Sequence, residues 1–311
     1  MRIQALPAGL DTLLLAARPQ YLGASVAPVL VGSALGYATA GSFSLSLFVL
    51  ATLAIMALHA GANVVNDYFD HVSRNDWVNA NPTPFSGGSR FIQNGRLSPK
   101  ATLLTGLAYL AIGSGIGLII VFLTRSAFVL GIGLAGVLGA FFYTARPIQL
   151  GYRGIGEIVI GFLFGILPVF GAYYLQAQSI NMLPLLPALI VAILIFLVIF
   201  INEFPDLPAD RQVNKRTMIV VFGVPVSIGI YRAALAASYV LAALMLAHSA
   251  TFFGGMFYLL TLPLAVFAMR SANQQDLAKP GLYRANQLTI LLHNVGSLAL
   301  AAGLLLPGLV R

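Results

Sequence analysis

Two acidic clusters interrupt a chain that is otherwise nearly free of carboxylates: Asn66-Asp67-Tyr68-Phe69-Asp70 followed by Asp76, and Asn202-Glu203-Phe204-Pro205-Asp206 followed by Asp210. Only nine acids occur in 311 residues, and six of them belong to these clusters. Carboxylates this close repel one another unless cations neutralise them. On a helix, positions four apart share a face, so Asn63, Asn66, Asp67 and Asp70 form one polar stripe. Asn202, Asp206 and Asp210 form a second. Facing each other, the stripes make an oxygen-rich basket that selects a hard cation such as Mg²⁺. Mg²⁺ keeps several waters and is commonly completed by phosphate oxygens, which points to a diphosphate ligand.

Basic partners follow closely. Lys215-Arg216-Thr217 comes after the second cluster, and Arg90 follows Ser86-Gly87-Gly88-Ser89, whose backbone N–H groups can form an anion nest. His59 and His293 fall inside apolar runs and read as hydrogen-bonded packing residues.

The elements that must position these groups are membrane helices. The chain is 59% hydrophobic and 8% charged, with a mean hydropathy of +0.90, outside the range of soluble domains. At about 20 apolar residues per span, nine candidates appear, near 20–40, 43–65, 101–123, 127–144, 155–175, 183–204, 232–248, 252–269 and 286–306. The expectation is an all-α polytopic membrane protein forming one domain over 1–311. Residues 66–100 and 205–231 form its longest connections, and long loops are usually functional or disordered. No cleavable signal peptide is apparent in residues 1–17, and the absence of cysteine leaves no disulfides or thiolate ligands.

Basic residues mark the cytoplasmic side of short loops. Arg74, Arg90, Arg96, Lys100, Arg146, Arg153, Arg211, Lys215, Arg216, Arg232, Arg270, Lys279 and Arg284 share one side, leaving Arg125 and Arg311 opposite. The amino terminus and both acidic clusters then face the cytoplasm. The net charge of +8 reflects this topology and excludes a nucleic-acid role. Asn66 and Asp70 recur as Asn202 and Asp206, which is consistent with a parallel pseudo-repeat of about 18–150 and 151–285. Repeats of this kind place ligands between halves. Glycine runs at 113, 115, 117 and at 131, 133, 136, 139 read as close helix packing.

Taken together, the first cluster with Asp76 and the second with Lys215-Arg216-Thr217 resemble the UbiA superfamily of intramembrane prenyltransferases, over nearly the whole chain. The placement of Asp76 ten residues after Asn66 is similar to the 1,4-dihydroxy-2-naphthoate (MenA-type) branch, as are Tyr143-Thr144-Ala145-Arg146-Pro147, Gly156-Glu157 and Ala172-Tyr173-Tyr174-Leu175-Gln176. Two departures concern the second cluster. Pro205 and Pro208 prevent one regular helix from Asn202 to Asp210, and Asn214 stands where many relatives carry glycine.

The resemblance implies a helical bundle with a cytoplasm-facing cap of loops and short helices. It also implies Mg²⁺ on Asp67, Asp70, Asp76, Asp206 and Asp210, and a polyprenyl diphosphate held with Asn66, Ser86, Arg90, Arg146, Asn202, Lys215 and Arg216. Asp70, Asp206, Lys215 and Tyr143 would serve the chemistry: ionisation of the allylic C–O bond, with Lys215 on the leaving diphosphate. Tyr68, Phe141, Phe142, Tyr143 and Tyr173 are candidates to shield the allylic cation. An electron-rich aromatic acceptor attacks that cation, and in the MenA-type branch it loses its carboxylate as the prenyl group is added. The prenyl tail lies among apolar helices in the lipid bilayer. 4-Hydroxybenzoate, homogentisate and glycerol phosphate lipids are alternative acceptors, and a transporter of an anionic lipid is the alternative from another class.

Overall fold

The computed structural model describes residues 9–277, 281 and 283–309; Lys279, Arg311 and residues 1–8 lie outside them. In chain order the helices are α1 (Leu10–Ala16), α2 (Pro19–Ala40), α3 (Leu45–Val72), α4 (Asn75–Val78), α5 (Pro99–Thr124), α6 (Ala127–Phe142), α7 (Gly156–Gly161), α8 (Leu167–Ala177), α9 (Leu185–Asn202), α10 (Leu207–Gln212), α11 (Met218–Met245), α12 (Phe252–Leu259), α13 (Leu262–Ser271), α14 (Gln274–Leu277) and α15 (Arg284–Leu309). No strands occur among the described residues, only isolated bridges between Thr83 and Ser86 and between Arg153 and Arg216. An all-helical architecture is what lipid demands, because each helix satisfies its own backbone polar groups.

Seven segments are long and apolar enough to span a membrane: α2, α3, α5, the joined Gly156–Ala177, α9, α11 and α15. α12 and α13, bent by 48° at their junction, make an eighth. The apolar α6 has only 16 residues. Among the described residues seven helices, or eight segments with the broken pair, are long and apolar enough to span, so the expected count of nine is not reached on length; the ninth candidate coincides with the shorter α6. α7 and α8 are joined by a π-helical turn, Phe162–Ile166, just ahead of Pro168, a residue that cannot donate to the preceding turn.

One expected boundary is wrong. Residues 205–231 do not form a long connection, because α11 starts at Met218 rather than near 232. Gly223, Pro225, Ser227 and Gly229 give this stretch the look of a loop. The backbone breaks only at Gly223 (φ 75°, ψ 164°) and resumes as helix, placing Pro225 in a new first turn where its missing N–H costs little. Arg232 is consequently inside α11, where its guanidinium donates to the Ala272 carbonyl just past α13.

α9 forms the centre of the main core, with Ile190, Leu194, Leu197, Phe200 and Ile201 fully buried. α2 carries Pro28 in its interior, which leaves the Ala24 carbonyl without its helical donor. His293 of α15 fills that gap, with Nε2 3.2 Å from the Ala24 oxygen. The packing role expected of His293 thus has a specific cause.

α2 also meets α8 backbone to backbone. A Cβ on Gly32 would lie 2.2 Å from the Val169 carbonyl oxygen, and one on Gly36 2.8 Å from that of Tyr173. The other glycine runs behave differently from the expected tight packing. Gly113 and Gly139 are in close contact, but Gly115, Gly117, Gly131, Gly133 and Gly136 have nothing within 4 Å of a built Cβ. Gly117, Gly133 and Gly136 instead line an apolar cavity of ≈ 290 Å³ among α3, α5, α6 and α8.

These contacts separate two kinds of glycine. Gly32→Ala is expected to lower stability by about 1–3 kcal/mol through overpacking. Gly115→Ala is expected to leave stability unchanged. Thermal unfolding of both variants in one detergent checks this, and equal melting temperatures would refute it.

Candidate active site

At 1.5 Å per residue, the 28-residue α3 is about 42 Å long, more than the ~30 Å hydrocarbon thickness. Its last turns, carrying Asn66, Asp67 and Asp70, therefore reach the end of the bundle. Alternating spans bring the start of α2, the end of α9 and the start of α11 to that same end. The connections there are long (73–98, 143–155 and 203–217), whereas 41–44, 125–126, 178–184 and 246–251 at the opposite end are short.

The two clusters are joined by amides. Asn75 Nδ2 donates to Asp210 Oδ1 at 2.8 Å, and Asn79 Nδ2 donates to Asp206 Oδ1 at 2.8 Å. These contacts place α4 against α10. The two prolines do break the helix at the second cluster: α9 ends at Asn202, and α10 restarts at Leu207 with Asp206 as its N-cap residue and Pro208 in its first turn. Asn214 adopts φ 55°, a left-handed conformation that asparagine tolerates better than most residues. It can therefore replace glycine without redirecting the loop.

Lys215 occupies the centre. Its Nζ is 3.2 Å from Asp70 Oδ2 and 4.0 Å from Asp210 Oδ1, and 5.6 Å from the centre of the Tyr152 ring. Tyr152 donates from Oη to Asp70 Oδ1 at 3.0 Å. A 3₁₀ turn, Leu150–Tyr152, and the Arg153–Arg216 bridge hold this tyrosine beside the second cluster. Across the site, Arg18, just before α2, pairs with Asp67, which also accepts from the Ser89 N–H at 3.3 Å. Asp76 accepts from Gln93 at 3.3 Å. Gly88 fits against both acids: a Cβ there would be 2.8 Å from Asp76 Oδ2 and 3.2 Å from Asp67 Oδ1.

The balance of charge is unequal. Asp67, Asp70, Asp76 and Asp210 are buried and Asp206 half-buried, yet among the described residues only Arg18 and Lys215 make ion pairs with them. Burial, then the Asp70 and Asp67 charges, pushes Asp76 up to about 8. Burial also raises Asp210 to about 6 and lifts Asp206. For Lys215 burial opposes the charged form, but Asp70 and Asp210 outweigh it and hold the ammonium well above its ordinary range.

Several expected residues are placed differently. Arg90, at φ 63°, turns its guanidinium onto the backbone carbonyls of Asp76 and Asn79, so it braces the loop. Ser86 closes a turn with Thr83, and its side chain also hydrogen-bonds Asp206. Asn202 is buried and accepts from Asn286 of α15 at 2.9 Å, whereas Asn66 is half-buried. Arg146 and Arg216 are exposed at the same end. Tyr143 rests on Gly151 and Gly156 and lies within electrostatic reach of Glu203, Glu157, Lys215 and Asp70. Tyr68, Phe69, Phe141 and Phe142 form a run of edge-on rings. Tyr173 is remote from them: it is buried in α8, and its hydroxyl accepts from Asn181 at the opposite end.

Arg18, Asn75, Asn79 and Tyr152 were not identified from the sequence. The asparagines carry a signal, since they flank Asp76 at a four-residue spacing. Arg18 and Tyr152 are distant in sequence from both clusters and give none.

Residues 25–305 match the UbiA prenyltransferase family. A 1,4-dihydroxy-2-naphthoate octaprenyltransferase from Haemophilus influenzae is 30% identical over 298 residues, covering 92% of this chain and 94% of that protein. Its namesake from Mycobacterium leprae is also 30% identical, covering 94% and 96%. A UbiA homolog from Archaeoglobus fulgidus, solved bound to GPP and Mg²⁺, superposes with a TM-score of 0.68 at 16% identity, over 94% of this chain and 97% of that one. That likeness establishes the fold, and the match across nearly all the spans shows that this multi-pass membrane protein belongs to the UbiA prenyltransferase family.

Proposed function

We propose that the protein transfers a polyprenyl group from its diphosphate to 1,4-dihydroxy-2-naphthoate on the cytoplasmic side of the membrane. The observation that carries this reading is the joining of both acidic loops around Lys215, with more carboxylates than cations. The names of the relatives support the acceptor, and the clustering of basic residues at the acidic end supports the orientation.

The donor set fits Mg²⁺. All the candidate ligands are hard carboxylate oxygens, and the missing side chain of Gly88 leaves room against Asp67 and Asp76. Among the described residues no group of three acids or histidines is arranged to hold a metal unaided. Mg²⁺ does not require one, since it commonly takes one or two carboxylates plus substrate phosphates. Asp67, Asp70 and Asp76 would hold it on one side, Asp206 and Asp210 on the other. Bound there, Mg²⁺ supplies Lewis-acid stabilisation of the leaving diphosphate.

The protein's own residues do the rest. Lys215, preorganised by Asp70 and Asp210, donates to the developing diphosphate charge. Tyr152 fixes Asp70 Oδ1 and so orients that carboxylate. Arg146 and Arg216 attract the anionic donor from solution. The prenyl tail lies toward the apolar cavity walled by Gly117, Gly133 and Gly136. The edge-on rings of Phe69 and Phe141 keep the end of α3 apolar and exclude water from the allylic cation.

Purified protein with Mg²⁺ and labelled geranylgeranyl diphosphate is expected to prenylate 1,4-dihydroxy-2-naphthoate and not 4-hydroxybenzoate. EDTA should abolish the product, and Asp70→Asn should reduce it about a hundredfold or more. Product from 4-hydroxybenzoate alone would overturn the acceptor assignment.

Proton linkage provides a second test. The raised values of Asp76 and Asp210 mean that the folded, metal-free protein binds protons more tightly than the unfolded chain does. Its stability should therefore fall as pH rises from about 6.5 through about 8, where Asp76 loses its proton in the folded state. Mg²⁺ binds the ionised carboxylates, so its stabilising effect should grow over the same range. Melting temperatures measured with EDTA and with Mg²⁺ from about pH 6.5 to about pH 8.5 check both slopes. A metal-free protein that becomes more stable toward pH 8 would contradict the assignment.

A further inference from the structure

Two buried glutamates lie next to the site without belonging to its ligand set. Glu157 stands in the first turn of α7, and Glu203 caps the end of α9. Their carboxyl groups hydrogen-bond each other, which requires a proton on one of them, since an ionised carboxylate only accepts. Burial, then the Glu157 charge, raises Glu203 well above its ordinary range. Glu203 therefore carries the proton and donates to Glu157. Lys215 is within electrostatic reach of this pair.

The other bond of Glu157 goes to backbone. Its Oε1 accepts from the N–H of Met218, the first residue of α11, at 2.6 Å. That N–H is one of the donors that a helix start leaves without an intrahelical partner. The Thr217 hydroxyl accepts from the Val220 N–H in the same turn. Just upstream of Glu157, the Arg153–Arg216 bridge joins the same two stretches of chain. Residues 153–157 thus hold 216–218 at two points. Lys215 lies three residues before Met218, and its own N–H donates to the Asp210 carbonyl at 2.9 Å. Its backbone is therefore clamped on one side by the second acidic loop and on the other by Glu157. A lysine stem is flexible, so the placement of Nζ between Asp70 and Asp210, at 3.2 and 4.0 Å, depends on both clamps.

We propose that Glu157 is a positioning residue for Lys215: held between Glu203 and the Met218 N–H, its carboxyl joins the ends of α7, α9 and α11 and fixes where the lysine meets the diphosphate. The inference rests on the reading of Lys215 as the donor to that diphosphate and deepens it by naming what places the lysine. The role belongs to the reach of the side chain and its two hydrogen bonds. Its charge is not what Lys215 needs, because Asp70 and Asp210 already supply that.

Binding of inorganic diphosphate with Mg²⁺, followed by titration calorimetry on the detergent-solubilised full chain, reads the lysine without an acceptor. Glu157→Asp keeps the charge but is one methylene too short to hold both partners, and should weaken binding about two- to tenfold, the range of one hydrogen bond. Glu157→Gln accepts from Met218 and donates to Glu203, so it should bind within about twofold of the wild type. In a Lys215→Met background, itself weaker than the wild type, Glu157→Asp should cause no further loss, because its effect passes through the missing ammonium. An unaffected Glu157→Asp protein, an equal loss with and without Lys215, or a Glu157→Gln protein weaker than Glu157→Asp would each overturn the proposal. Undiminished binding by Lys215→Met would instead refute the reading of Lys215 on which the proposal rests. The expected pattern in a protein with no transfer to naphthoate would uphold the role of Glu157 and refute only the proposed reaction.

Discussion

Mutual repulsion among five carboxylates gathered at one end of the bundle is the constraint on which the site depends. Membrane helices bring Asp67 and Asp70 to that end, and the loops return Asp76, Asp206 and Asp210 to the same place. Two ion-paired cations among the described residues are too few to neutralise them, and burial first, with smaller contributions from neighbouring carboxylates, displaces Asp76, Asp206 and Asp210 upward. Amides from Asn75 and Asn79 reduce the cost of bringing the loops together without cancelling charge. The arrangement is thus assembled but electrostatically incomplete, a condition suited to a ligand that carries metal charge with it.

The cost of this assembly is carried by backbone as well as charge. Arg18, Arg74, Arg90 and Asn214 all adopt positive φ at the acidic end, a conformation that residues other than glycine seldom take. Each sits where the chain must turn sharply into or out of the site. Such conformations persist when surrounding contacts over-determine them. Here those contacts include the Arg18–Asp67 pair, the Arg90 bonds to loop carbonyls and the Lys215 N–H to Asp210 carbonyl bond.

Most of the architecture was legible in the sequence because apolar runs and acidic clusters are strong, local signals. The helical class, the interruption between Asn202 and Asp206 and the meeting of the two clusters all followed from them. The start of α11 was not, since Gly223 and Pro225 imitate a loop when only one residue leaves the helix. Arg90 was expected to face a ligand directly, but local sequence cannot say which of its nitrogens the backbone will use. Tyr152 and Arg18 were invisible for a different reason. Their partners, Asp70 and Asp67, are brought to them only by tertiary packing.

The unpacked glycines have a consequence for the volume of the apolar cavity they line. Gly117, Gly133 and Gly136 face open space along an apolar wall, whereas Gly32 and Gly36 are locked between backbones. A methyl group added at the former removes room from the cavity without disturbing a helix contact or the polar end. The room along this wall is therefore adjustable one side chain at a time, independently of the polar end.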